Sequence, residues 1–176
     1  MTNDETSAET SAETTEVVVR RILNAPVATV WRLWTDPELV TEWWGPEDYT
    51  SPSASVDLRE GGSYLFSMQA PDDQGGAESF TGGVYTAVVP LERLEFTQSI
   101  TDEDGVPLPG DQLPEGFTQN IRTVVEFADV GGLTELTITE SGWSRSLMSV
   151  FAYAGMHQSL DKLTTDVLRR LTAAVA

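Results

Sequence analysis

The spacing of apolar residues changes along the chain, and each change marks an element. Residues 17–23 are rich in β-branched side chains and read as a first strand. Pro26 cannot sit inside a strand but suits the first turn of a helix, with Asn24 as the expected N-cap. Val27, Val30, Trp31 and Trp34 then recur at helical spacing and predict a first helix. Asp36, Pro37 and Glu38 restart the chain as an N-cap, an N1 proline and a first-turn acid. The second helix is expected to run to about Trp43 and to stop at Gly45-Pro46.

Strand patterns follow, separated by turn residues. Residues 53–59 lead into Glu60-Gly61-Gly62, a hairpin signal. Tyr64, Phe66 and Met68 then alternate with Ser63, Leu65 and Ser67. A turn at 71–76 precedes a strand over 80–89, where Gly82-Gly83 suggests a bulge. Pro90 interrupts, and 91–100 resumes. The stretch 101–119 holds three Pro, three Gly and five acidic residues, and reads as a long loop, either a lid or a mobile linker. Residues 121–127 and 133–140 form a final hairpin turned at Gly131-Gly132.

From about residue 146 to 174 the period becomes helical, with Met156, Leu160, Leu163, Val167 and Leu171 in one apolar stripe. A helix of this length has to lie across a whole sheet. The order β-α-α-β-β-β-β-β-β-α, joined by tight turns, predicts an α+β fold with an antiparallel sheet of about six to seven strands. A curved sheet gripping one long helix leaves a cavity between the two. The expected division is a disordered acidic tail over 1–15 and one domain over 16–176. The tail repeats Thr-Ser-Ala-Glu-Thr at 6–10 and 10–14 and has no large apolar side chain to offset ordering entropy.

Charge narrows the partners. There are 28 acidic and 10 basic residues, a net charge of −18, and Lys162 is the only lysine. Nucleic acid and anionic membrane surfaces are therefore not expected partners. An acidic excess alone reads as a soluble acidic protein; with almost no lysine beside it, adaptation to a salt-rich cytoplasm is the favoured expectation, since salt screens carboxylate repulsion. The absence of cysteine excludes disulfides, thiolate nucleophiles and Cys-based metal sites. No run of 18 apolar residues and no signal-peptide pattern occurs, so a cytoplasmic location is expected.

Several segments fall together in a recognisable order: Arg21-x-Leu23-x-Ala25-Pro26-x-x-x-Val30-Trp31, Asp36-Pro37-Glu38, Trp43-Trp44, Asp57-x-Arg59-x-Gly61-Gly62 and Gly83-x-Tyr85. Arg93-Leu94, Thr134-x-Leu136 and Gly155-Met156-x-x-x-Leu160-x-x-Leu163 continue it. In these the chain resembles the domain homologous to the C-terminal part of the activator of the heat-shock protein 90 ATPase, over about residues 16–172. The resemblance implies a START-like, helix-grip fold with two short helices after the first strand, and it raises a chaperone as a partner. Relatives usually carry Gly-Trp on the last helix where this chain has Gly155-Met156. Methionine fills irregular space, so the cavity is expected to differ in shape.

The inventory for chemistry is small. His157 is the only histidine, so no histidine-based metal site is expected; a helix-flank position suits it better than a general-base role. Arg21 shares inward parity with Val17, Val19 and Leu23, and a buried arginine needs a carboxylate. Asp57, Glu126 and Glu140 are its candidate partners, and a structural ion pair is favoured over a ligand anchor. The aromatic residues read mostly as core, but some should face the cavity. The candidates for its lining are Trp31, Trp34, Trp43, Tyr64, Phe66, Met68, Tyr85, Phe96, Phe127, Met156 and Arg21, with Trp44 beside them. No catalytic residue, metal ligand or cofactor is assigned, and no triad, P-loop or dinucleotide fingerprint occurs. The expected function is non-enzymatic binding of a small apolar molecule. The alternatives are a chaperone-associated protein working through a surface patch, and a cyclase- or hydrolase-type enzyme using the same cavity.

Overall fold

The computed structural model describes residues 14–173. Strand β1 (Thr14–Leu23) is followed by α1 (Val27–Thr35) and α2 (Pro37–Val40). Six strands come next: β2 (Ala54–Val56), β3 (Ser63–Gln69), β4 (Glu78–Val89), β5 (Arg93–Thr101), β6 (Ile121–Asp129) and β7 (Thr134–Ser144). The chain ends in α3 (Leu147–Lys162), a π-helical segment (Leu163–Leu168) and α4 (Arg169–Ala173), which run on as one rod. All seven strands form one antiparallel sheet in the order β1-β7-β6-β5-β4-β3-β2. The fold is α+β, as the element order predicts. No helix among the described residues is long and apolar enough to cross a membrane.

Local chemistry explains the boundaries, and in places it differs from the sequence expectation. Thr14 and Thr15, read as tail, pair with Ser144 and Trp143 in β1; the rest of the expected tail lies outside the described residues. Asn24 does not cap α1. Pro26 holds the cap position, and its carbonyl accepts from Thr29 N–H and Val30 N–H. Asp36 does cap α2, accepting from Glu38 N–H at 3.2 Å. Only Pro37–Val40 is α-helical there, and single turns carry the chain on to Trp44.

The bulge in β4 lies between Tyr85 and Ala87, not at Gly82-Gly83. Gly83 is instead a point of close approach: a Cβ there would stand 1.8 Å from the Thr97 carbonyl oxygen of β5. Any side chain would push the two strands apart.

Strand alternation sorts the core. On β7, Thr134, Leu136, Ile138 and Glu140 all turn inward and are buried. The last helix lies over β1 and β7 and buries Met156, Leu160, Leu163, Val167 and Leu168. Leu168 falls off the sequence stripe. The π segment inserts a wider turn, so Val167 and its neighbour Leu168 both reach the core while Leu171 is only partly covered. Lys162 ties this rod to the chain after α2. Its Nζ donates to the Pro46 carbonyl at 3.1 Å and the Tyr49 carbonyl at 2.8 Å, and burial holds its pKa below the usual lysine value. Replacing Lys162 by Met is expected to cost roughly 1–3 kcal/mol in a urea melt, because both carbonyls lose their donor.

The ion pairs among the described residues, such as Arg21–Asp161 and Arg122–Glu95, are at least partly exposed and contribute little each. Pairing leaves the net charge of −18 untouched, since that figure already counts every basic residue. Raising KCl from about 0.1 M to about 2 M shrinks the Debye length from about 10 Å to below about 3 Å. The melting temperature is expected to rise across that range. A flat or falling melting temperature would remove the salt-adaptation reading.

Candidate functional site

The sheet and the last helix part company at the N-terminal half of α3. A cavity of about 410 Å³ opens there. Its inner wall comes from β3, β4, β5 and β7 through Met68, Thr81, Ile100 and Glu140. Met148, Ala152 and Met156 of α3 form the roof. The turn after α2 supplies Trp44, Pro46 and Tyr49 as one rim, and Lys162 holds that turn in place. Phe151 lines the cavity and is 62% exposed, so the hollow reaches solvent at this end of α3.

The long loop after β5 makes the remaining wall. Gln119 clamps its base: its Oε1 accepts from Ile100 N–H at 2.9 Å, and its Nε2 donates to the Ile100 and Leu108 carbonyls. Ser144 Oγ donates to the Gly116 carbonyl at 2.8 Å. Phe117 then stands edge-on against Trp143, with ring centroids 5.2 Å apart. The loop is pinned at these points and brings Pro114 and Phe117 to the cavity.

Of the residues expected to line the cavity, Met68 and Met156 do so, and Trp44 joins them. The others lie outside its lining. Trp31 packs edge-on against Phe127, and Trp34 packs at a tilt against Trp43. Tyr64, Phe66, Tyr85 and Phe96 form a continuous aromatic cluster that fills the far part of the sheet concavity. Arg21 leans to the helix side and pairs with Asp161 of α3 at 3.0 Å. Asp57, Glu126 and Glu140 are therefore not its partners: Asp57 pairs with Arg59, and Glu140 takes its bond from Trp143. His157 packs against Tyr153 on the flank of α3 with the two rings tilted, and its pKa is lowered by burial and by Arg21.

Glu140 is the residue that sequence reasoning missed as a site residue. Its inward parity on β7 was the available signal. It is 2% exposed, beside Val17 of β1 and Thr123 of β6 in register. Trp143 Nε1 donates to its Oε2 at 2.9 Å. Among the described residues Oε1 takes no hydrogen bond, and no cation lines the cavity. Burial pushes the carboxyl from its ordinary 4.5 up to about 7, although the Trp143 bond pulls the other way. The same burial, with help from Tyr85 and Glu140, raises the Tyr64 phenol well above its usual value. A second polar atom is also unserved: the indole N–H of Trp44, buried and without an acceptor. No cluster of metal-binding side chains occurs among the described residues.

A curved antiparallel sheet closed on one long helix, with a hollow left between them, is the helix-grip architecture of START-like proteins. The chain belongs to the family described as Activator of Hsp90 ATPase homolog 1-like protein, which it matches over residues 24–167. No curated protein matches it. Among solved structures it is similar to a Chromobacterium violaceum protein at 27% identity and a TM-score of 0.71, covering 87% of this chain and 96% of that one. It is also similar to a Nitrosomonas europaea protein at 24% identity and a TM-score of 0.72, covering 90% and 96%. An AHSA1-like protein from Aeromonas hydrophila shares the fold at 20% identity and a TM-score of 0.65, covering 88% and 95%.

The placement of the helix residues separates solid core from cavity wall. Leu160→Ala or Leu163→Ala opens a new void and is expected to cost roughly 2–5 kcal/mol. Met156→Ala only enlarges a hollow already present and should cost clearly less in the same urea melts. Equal losses at the three positions would contradict the cavity.

Glu140 sets a pH signature. Its folded pKa is raised above the unfolded one, so its stabilising contribution is full below pH 4.5 and is lost as pH rises through about 7. Glu140→Gln keeps an acceptor for Trp143 and removes the titration. Relative to wild type, the variant should gain roughly 3 kcal/mol between those pH values. A difference that does not vary with pH would mean a hydrated carboxyl.

Proposed function

We propose that this protein binds a small, mainly apolar molecule in the hollow between the sheet and α3, acting in the cytoplasm as a carrier or sensor. The observation that supports this most is a space of about 410 Å³ with a mainly apolar lining and one carboxyl, Glu140, whose Oε2 alone is engaged, by Trp143. Its volume falls in the range of small-molecule sites, about 300–1,000 Å³, and ligand sites typically combine an apolar lining with a few placed polar groups. A solid core would have filled the space, because interiors pack to crystal-like density.

A second reading has its own observation. Leu147, Val150, Phe151 and Tyr153 expose apolar surface on one end of α3, with Leu147 72% accessible. Such a patch suits a chaperone-associated protein that works through its surface. The enzyme reading finds less support: acid–base catalysis wants a partner group converging on Glu140, and the titratable side chain that interacts with it is the Tyr64 phenol, already bonded to the Thr97 carbonyl.

The uncharged fluorophore N-phenyl-1-naphthylamine separates these readings. It is expected to bind wild type saturably, with enhanced emission, at a single site. Met156→Trp, which restores the bulk relatives carry there, should fold cooperatively and lose that binding. Undiminished binding by the variant would move the site to the exposed face of α3 and favour the surface-patch reading.

A further inference from the structure

We infer that the cavity selects apolar molecules carrying a protonated amine, with the Glu140 carboxylate as the counter-ion. This rests on the ligand-binding reading above and names the class of guest.

Among the described residues the lining carries one charged group, Glu140, and no Arg, Lys or His. One acid in an apolar chamber discriminates among guests by charge. A guest carboxylate would face it with like charge and no cation to mediate. A neutral guest can hydrogen-bond to Oε1 but leaves the buried charge uncompensated whenever Glu140 is ionised. An ammonium group donates to Oε1 and cancels that charge in the same step, a charge-assisted bond of the stronger kind. Trp143 leaves room for it, because its indole N–H occupies only Oε2.

The walls favour the same guest. Trp44, Trp143, Phe117 and Phe151 present aromatic surface to the hollow. Ring faces attract a cation, more so where water is excluded. The net charge of −18 also draws organic cations toward the protein at low salt.

The surroundings of Glu140 contain nothing that competes for the role. Beside it in the sheet stand Val17 of β1 and Thr123 of β6. From β3 comes the Tyr64 phenol, whose hydroxyl already donates to the Thr97 carbonyl at 3.0 Å. At the rim is Tyr49, and α3 offers Met156 and Ser159. Arg21 and His157 face Asp161 and Tyr153 instead. Because burial holds the Glu140 carboxyl near 7, amine binding is coupled to loss of that proton around neutral pH.

The test is displacement of N-phenyl-1-naphthylamine from the full chain by 4-phenylbutylamine, 4-phenylbutan-1-ol and 4-phenylbutanoate, which share one apolar body. At about pH 8 the amine, still protonated, should displace the probe at roughly tenfold lower concentration than the alcohol, with the acid weakest. Its affinity should rise from about pH 5.5 to 8 while that of the alcohol stays level. In Glu140→Gln the amine should fall to the level of the alcohol. Equal displacement by amine and alcohol, or a preference that survives Glu140→Gln, would overturn the inference and leave the cavity reading standing. So would an absence of displacement by any of the three when the probe itself binds. If the probe does not bind, both readings fall together. The pH series on wild type decides the matter even if the variant does not fold.

Discussion

One face of a seven-stranded sheet has to be covered, and one long helix does most of the covering. Strands about 4.8 Å apart make seven strands roughly 29 Å across, measured between the outer strands. A helix with its side chains is only about 10–12 Å wide. A flat sheet would leave much of its apolar face in water, so the sheet has to curl around the helix. On the β1 and β7 side the fit is close, and Leu160, Leu163 and Val167 are almost fully excluded from solvent. On the β3 and β4 side α1 contributes Trp34 and the turns after α2 contribute Trp43 and Trp44, which pack into the aromatic cluster around Phe66. What remains uncovered is the space under the N-terminal half of α3. The hollow is a consequence of packing one cylinder into a broad concave sheet.

The carboxyl of Glu140 gives that space its chemistry. An isolated buried charge is costly, and proteins usually answer by pairing it or by shifting its pKa. Here no cation among the described residues lines the space, and the pKa moves. The side chain is not poorly ordered by its surroundings, since Trp143 fixes one oxygen and is itself held by Phe117 from the loop. Lys162 plays the complementary part at the opposite rim. The only lysine of the chain is spent on two backbone carbonyls, where it fixes the turn bearing Pro46 and Tyr49 against α3. The site thus has fixed walls on both sides of its mouth.

The fold was largely legible in the sequence because its signals are local and repeated. The break at Pro26, the restart at Asp36-Pro37, the turn at Gly131-Gly132 and the stripe from Met156 to Val167 each carry their own chemistry. The site was less legible because it depends on how elements meet. Trp31, Trp43 and Phe96 look like Met68 and Met156 to any pattern rule, yet only the methionines border the hollow. Parity could show that Glu140 points inward, but not that its neighbours are Val17 and Thr123 or that Arg21 turns away to Asp161. The π segment that brings in Leu168 also has no period of its own to announce it.

The central claim is that an apolar guest enters the space under α3. Met68, Met148 and Met156 all line that space, from a strand, the helix start and the helix middle. Methyl spectra of protein carrying carbon-13 at the methionine methyls, recorded during a titration with N-phenyl-1-naphthylamine, read the claim directly. The account predicts that the resonances of all three shift together and saturate at one equivalent, with contacts from probe protons to the Met68 and Met156 methyls. A response confined to Met148 at the exposed end of α3, or no response at any of the three, would contradict it.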